Sequence, residues 1–73
     1  MPKLPVLSGA DVVKALERLG FAQIRQRGSH VALRKGSAGT VVPLHREVKT
    51  GTLAGILRQA GVAQDDFLTA LGK

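Results

Sequence analysis

Cysteine is absent from this 73-residue chain, which excludes a disulfide framework and a thiolate zinc site. Tryptophan and tyrosine are absent too, and there are two phenylalanines. That argues against a single-strand binder that stacks bases on aromatic rings. Asparagine is missing as well; selection against heat-labile residues and chance in so short a chain explain that about equally. No apolar run approaches the roughly 18 residues of a spanning helix, and no signal peptide is visible. Without disulfide staples, a reducing cytoplasm and no membrane partner are the expectation. Acidic residues are scarce: Asp11, Glu17, Glu47, Asp65 and Asp66 are the whole set. Asp11 and Glu17 read as cap and surface residues, and Asp65 and Asp66 point different ways on a helix. No carboxylate cluster suits a two-metal nuclease, so no metal site and no cofactor are expected.

What is present is positive charge. Eleven Lys and Arg against five acidic residues give a net charge of +6, a physical argument for a polyanionic partner rather than for any fold. Hydrophobic residues make up 44%, which excludes bulk disorder. The length suits one domain, residues 1–73, with one small core.

Periodicity predicts the order α-β-β-β-α. Met1 to Leu7 is a lead with two prolines. Ser8 is an N-cap with Asp11 three residues on. Val12, Val13, Leu16 and Leu19 then follow helical spacing, and Gly20 followed by Phe21 makes the stop. Residues 21–27 alternate, with Ala22 and Ile24 on one side and Gln23, Arg25 and Arg27 on the other. Gly28-Ser29 suits a two-residue type II′ hairpin. A second strand runs from His30 to about Lys35, Gly36 to Gly39 turns, and Thr40 to Leu44 is a third strand that Pro43 assigns to an edge. Leu53, Ile56, Leu57 and Ala60 mark a helix closed by Gly61, with Thr50 or Thr52 as cap. Asp65 to Leu71 makes a last short helix docked by Phe67, Leu68 and Leu71. The class is α+β, with helices on one face of a three-stranded antiparallel sheet.

The hairpin register brings candidate functional residues together. Across a two-residue turn, residues 27 and 30 pair, then 25 and 32, then 23 and 34. Arg25, Arg27, His30 and Arg34 therefore share one open face, while Ile24, Val31 and Leu33 pack on the helices. If Val42 and Leu44 face the core, His45 emerges on the open face too. Taken singly, each of these residues also has a plain reading: solvated arginines, a surface histidine, turn glycines, and His45 in a loop or at the start of the next helix.

The segments Ser8-Gly9, Leu19-Gly20-Phe21, Arg25-Gln26-Arg27-Gly28-Ser29-His30, Val42-Pro43-Leu44-His45, Glu47-Val48-Lys49, Gly51-Thr52-Leu53 and Ile56-Leu57-Arg58-Gln59-Ala60-Gly61 together resemble a HicA-type toxin. This is the small messenger-RNA interferase of HicAB toxin–antitoxin systems. The resemblance covers the chain from Ser8 to Phe67. It implies a double-stranded-RNA-binding-domain-like fold, RNA cleavage dependent on the histidine of Gly-Ser-His (here His30), and a HicB-type antitoxin as partner. The chain departs from the pattern at Val31, where members often carry a second histidine, and at Leu33, where they often carry an aromatic.

The chemistry of the residues points the same way. Histidine exchanges a proton near neutral pH, and RNA supplies its own 2′-hydroxyl as nucleophile. A metal-independent endoribonuclease then needs only a base and cations around the phosphate. His30 is the candidate catalytic base, or base and acid in turn. Arg25, Arg27, Gly28, Ser29, Arg34, Lys35, His45 and Lys49 are the candidate RNA-binding residues. Ser29 has two open readings, a substrate hydrogen bond or a turn former. Competing functions are a noncatalytic double-stranded-RNA-binding module and an interaction subunit whose charge matches an acidic protein.

Overall fold

The computed structural model describes residues 4–72; the first three residues of the lead lie outside it. The elements run α1 (Gly9–Arg18), β1 (Ala22–Arg27), β2 (His30–Lys35), β3 (Ala38–Pro43), α2 (Thr50–Ala60) and α3 (Gln64–Leu71). The strands make one antiparallel sheet in the order β1-β2-β3. This is the α+β arrangement that the periodicity predicts, with the short final helix included.

Local chemistry sets the boundaries. Ser8 is extended, and its hydroxyl accepts the Asp11 amide at 3.1 Å, which starts α1 by satisfying an orphan N–H. Gly20 ends it at φ +101, and the Phe21 amide returns to the Leu16 carbonyl at 3.0 Å. Phe21 is thereby folded into the core. At the first hairpin Gly28 has φ +55, and among the described residues no non-glycine residue has positive φ, as a II′ turn with Gly-Ser at its centre requires. The second turn is tighter than Gly36 to Gly39. Lys35 pairs with Ala38, so Gly36-Ser37 closes it, and β3 begins at Ala38 and ends at Pro43. Pro43 is the last residue of an edge strand, where a missing N–H is tolerated.

Val31 and Leu33 of β2 and Val42 of β3 are buried beneath the helices with Val12, Leu16, Leu53, Leu57 and Phe67. Thr40, the one buried polar residue among those described, donates its hydroxyl to Gln59 Oε1 at 2.9 Å, which fixes α2 to β3. Arg18 donates to the Ala70 carbonyl at 2.8 Å, joining α1 to the last turn of α3. Gly61 closes α2 at φ +71. The start of α2 differs from expectation. The cap residue is Lys49, and no side chain caps the helix; Thr50 and Thr52 are themselves helical.

The register of β1 also differs. Arg27 pairs with His30 and Arg25 with Ala32 as expected, but Gln23 pairs with Leu33 and Ala22 with Arg34. A bulge between Gln23 and Arg25 inserts one residue, Ile24. Ile24 is consequently 59% exposed rather than packed on the helices, and Ala22 is exposed as well. Gln23 instead turns toward α1, where its amide donates to Glu17 Oε2 at 3.3 Å. The physical reason is that β1 is an edge strand with no buried residue. The turn holds the register near residues 27 and 30, and nothing apolar holds it at the far end.

Candidate active site

The helices cover one side of the sheet and leave the other open. On the open side Arg25, Arg27, His30, Ala32 and Val41 line a hollow of about 210 Å³. His30 is exposed. It sits in mid-sheet at the end of β2, paired with Arg27 on one side and Pro43 on the other. Its backbone is therefore fixed by both neighbours while its ring faces solvent. Gln26 steadies the turn by donating to the Gly28 carbonyl at 3.1 Å. Four of the five acidic residues lie on α1 and α3, away from the sheet's open face, so positive charge dominates there.

His45 comes to this place from the far side of β3. Val42 is buried and Leu44 half-buried against the core, as the alternation required. The His45 ring stands edge-on to that of His30, with centroids 6.3 Å apart and planes at 73°. The connection that carries it is pinned at three points. The Leu44 amide donates to the Ser29 carbonyl at 2.6 Å, the Gly9 amide to the His45 carbonyl at 2.9 Å, and the Val48 amide to the Leu7 carbonyl at 2.6 Å. Ser29 therefore shapes the site with its backbone.

The remaining candidates are dispersed. Arg34 is exposed on the open face but pairs with Ala22 and Gly39 at the other end of the strands. It borders a depression with Ile24, Ala32 and Val41. Lys35 is not beside His30: its ammonium donates to the Leu19 carbonyl at 2.7 Å, closing the C-terminal end of α1 where a cation is favourable. Lys49 is exposed at the start of α2, in the same connection as His45. Arg46, next to His45 and exposed, is a further cation that the sequence reading passed over, although its adjacency to Val42-Pro43-Leu44-His45 was visible. Among the described residues no group of three or more His, Asp or Glu side chains is placed to hold a metal ion. Among the described residues no helix is long and apolar enough to cross a membrane.

Gly9 is the positioning residue that sequence reading missed. A Cβ built there would lie 2.0 Å from the Pro43 carbonyl oxygen and 2.7 Å from the Leu44 Cα. Both obstacles are backbone, so only glycine lets α1 come close enough to hold the His45 connection. Gly9→Ala is expected to destabilise the protein by roughly 1–3 kcal/mol through overpacking. Denaturant unfolding measures it; an unchanged midpoint would mean that the connection backs away freely.

A family model described as the HicA toxin of bacterial toxin–antitoxin systems matches residues 9–62. The match runs from the first residue of α1 to just past α2 and contains both histidines. No curated protein matches the chain.

Proposed function

The chain belongs to the HicA toxin family of bacterial toxin–antitoxin systems, and on that premise we propose that it is a metal-independent endoribonuclease that cleaves messenger RNA. Membership makes it the toxin half of a pair and implies an antitoxin partner. In our reading that partner is HicB-type and blocks the basic face, and the place of action is the cytoplasm.

The observation that carries the proposal is the solvent-facing His30 sharing one hollow with Arg25 and Arg27. His30 takes the proton from a 2′-hydroxyl as general base. Arg27 and Arg25 grip the phosphate, which guanidinium groups can do in bidentate fashion. They also offset the charge that builds on it during attack, the kind of electrostatic help that is worth the most when donors are already in place. Arg34, Arg46 and Lys49 extend the contact along the RNA chain as point or forked charges.

The test is incubation of the purified protein with messenger RNA, with and without the antitoxin. Cut RNA that disappears on adding the antitoxin supports the reading. Binding without any cutting would make the protein a noncatalytic RNA-binding module instead.

Binding should be strongly salt-dependent, since each phosphate contact releases counterions. With these five cations engaged (Arg25, Arg27, Arg34, Arg46 and Lys49), log affinity against log salt should fall with a slope of about −3.5, from roughly −0.7 per contact on a single strand. Changing Arg25 and Arg27 to Glu should weaken binding across all sequences and flatten that slope. A salt-independent affinity would remove the basic face from the mechanism.

A further inference from the structure

We infer that His45 is the general acid of the same reaction, protonating the 5′-oxygen as it leaves phosphorus. The inference rests on the ribonuclease reading of His30. Two exposed imidazoles stand edge-on with centroids 6.3 Å apart. At that separation the rings are too far apart to hydrogen-bond each other and close enough for both to reach oxygens of one phosphate. The placement is enforced, because the His45 carbonyl is held by Gly9 and the neighbouring Leu44 amide by Ser29, the residue before His30.

The chemistry calls for such a group. His30 removes the 2′-hydroxyl proton, the 2′-oxygen bonds to phosphorus, and the bond from phosphorus to the 5′-oxygen breaks. That oxygen leaves as an alkoxide unless it is protonated. Arg25 and Arg27 share the hollow with His30, but a guanidinium does not give up its proton in a protein. His45, as imidazolium, can. The products are a 2′,3′-cyclic phosphate and a 5′-hydroxyl. His30 ends protonated and His45 neutral, and exchange with water resets both. The other charged groups on the elements around the pair are Arg34 and Lys35 on β2, Arg46, Glu47 and Lys49 in the connection to α2, and Asp11, Lys14, Glu17 and Arg18 on α1.

The deciding experiment compares an RNA oligomer with its counterpart carrying sulfur in place of the bridging 5′-oxygen. A thiolate leaves without being protonated, so it has no need of an acid. On ordinary RNA, His45→Ala is expected to slow cleavage by about 10²–10⁴-fold. On the sulfur substrate it should run within a few-fold of wild type. The wild-type rate should rise and then fall with pH, since the base works deprotonated and the acid protonated. His45→Ala should lose the alkaline fall. His45→Gln, which keeps a hydrogen-bonding side chain without a transferable proton, should behave as His45→Ala does. Both changes leave the His45 carbonyl to hold Gly9, and binding of an uncleavable 2′-deoxy oligomer reports that the site is formed. Equal slowing on both substrates, or none on ordinary RNA, would overturn the assignment while the ribonuclease reading stood. Failure of the wild-type protein to cut either substrate would overturn both.

Discussion

His30→Ala is expected to abolish RNA cleavage and toxicity while leaving the protein folded. The chemical part follows from the role of a base. Without one, the 2′-hydroxyl attacks as a poor nucleophile, and the loss should be at least the roughly 10²–10⁴-fold that general-base help supplies. The structural part follows from placement. What His30 gives the fold is its pairing in the sheet, with Arg27 and with Pro43, and alanine keeps that pairing. Its side chain is exposed and absent from the core. Surface changes of this kind usually move stability by less than about 0.5 kcal/mol. The check is paired: initial cleavage rates at matched folded concentration, and the unfolding midpoint of each protein. Normal cleavage by the variant would end the assignment of His30. A collapsed midpoint would move the effect from chemistry to folding.

Residues whose local chemistry leaves one outcome could be placed from sequence. Ser8 before a helical run, Gly20 after it and Gly28-Ser29 between two strands each fixed a boundary, because caps and II′ turns depend on neighbours in the chain. The same turn placed Arg25, Arg27 and His30 on one face. What was not legible depends on partners distant in sequence. The bulge at Ile24 leaves Ala22-Gln23-Ile24-Arg25 with an unbroken apolar–polar alternation, so the pattern reads as a regular strand. Only the contact of Gln23 with Glu17 on α1, and the absence of any buried β1 residue, show why the register gives way. Bulges often lie beside functional sites, where they re-aim side chains, and here one sits directly before Arg25. Lys35 looked like part of the basic cluster because it follows Arg34 in sequence. Yet it closes α1 sixteen residues back through Leu19. Gly9 read as a helix opener, and its real constraint, the approach of Pro43 and Leu44, lies on another element.

Cleavage should persist in EDTA and fail on a substrate lacking the 2′-hydroxyl at the cut site. The argument begins with the reacting groups. A metal-dependent phosphodiesterase holds its ions with clustered carboxylates. Here Asp11 and Glu17 sit on α1 and Asp65 and Asp66 on α3, while the proposed site on the open sheet face is lined by arginines and a histidine. Such a site has no strong means of activating water, but it can activate a hydroxyl already positioned within the substrate, and RNA carries one beside every phosphate. Holding that hydroxyl in line with phosphorus makes the attack intramolecular, which lowers the entropic part of the barrier. The primary product must then carry a 2′,3′-cyclic phosphate, with a 5′-hydroxyl on the other fragment. Removing one 2′-hydroxyl removes the nucleophile itself, so the expected effect at that phosphate is complete loss, with cutting elsewhere on the same strand unchanged. Mass spectrometry of the ends reads the result directly. A 5′-phosphate end, or activity that returns only with Mg²⁺, would overturn the mechanism and leave the family assignment in place.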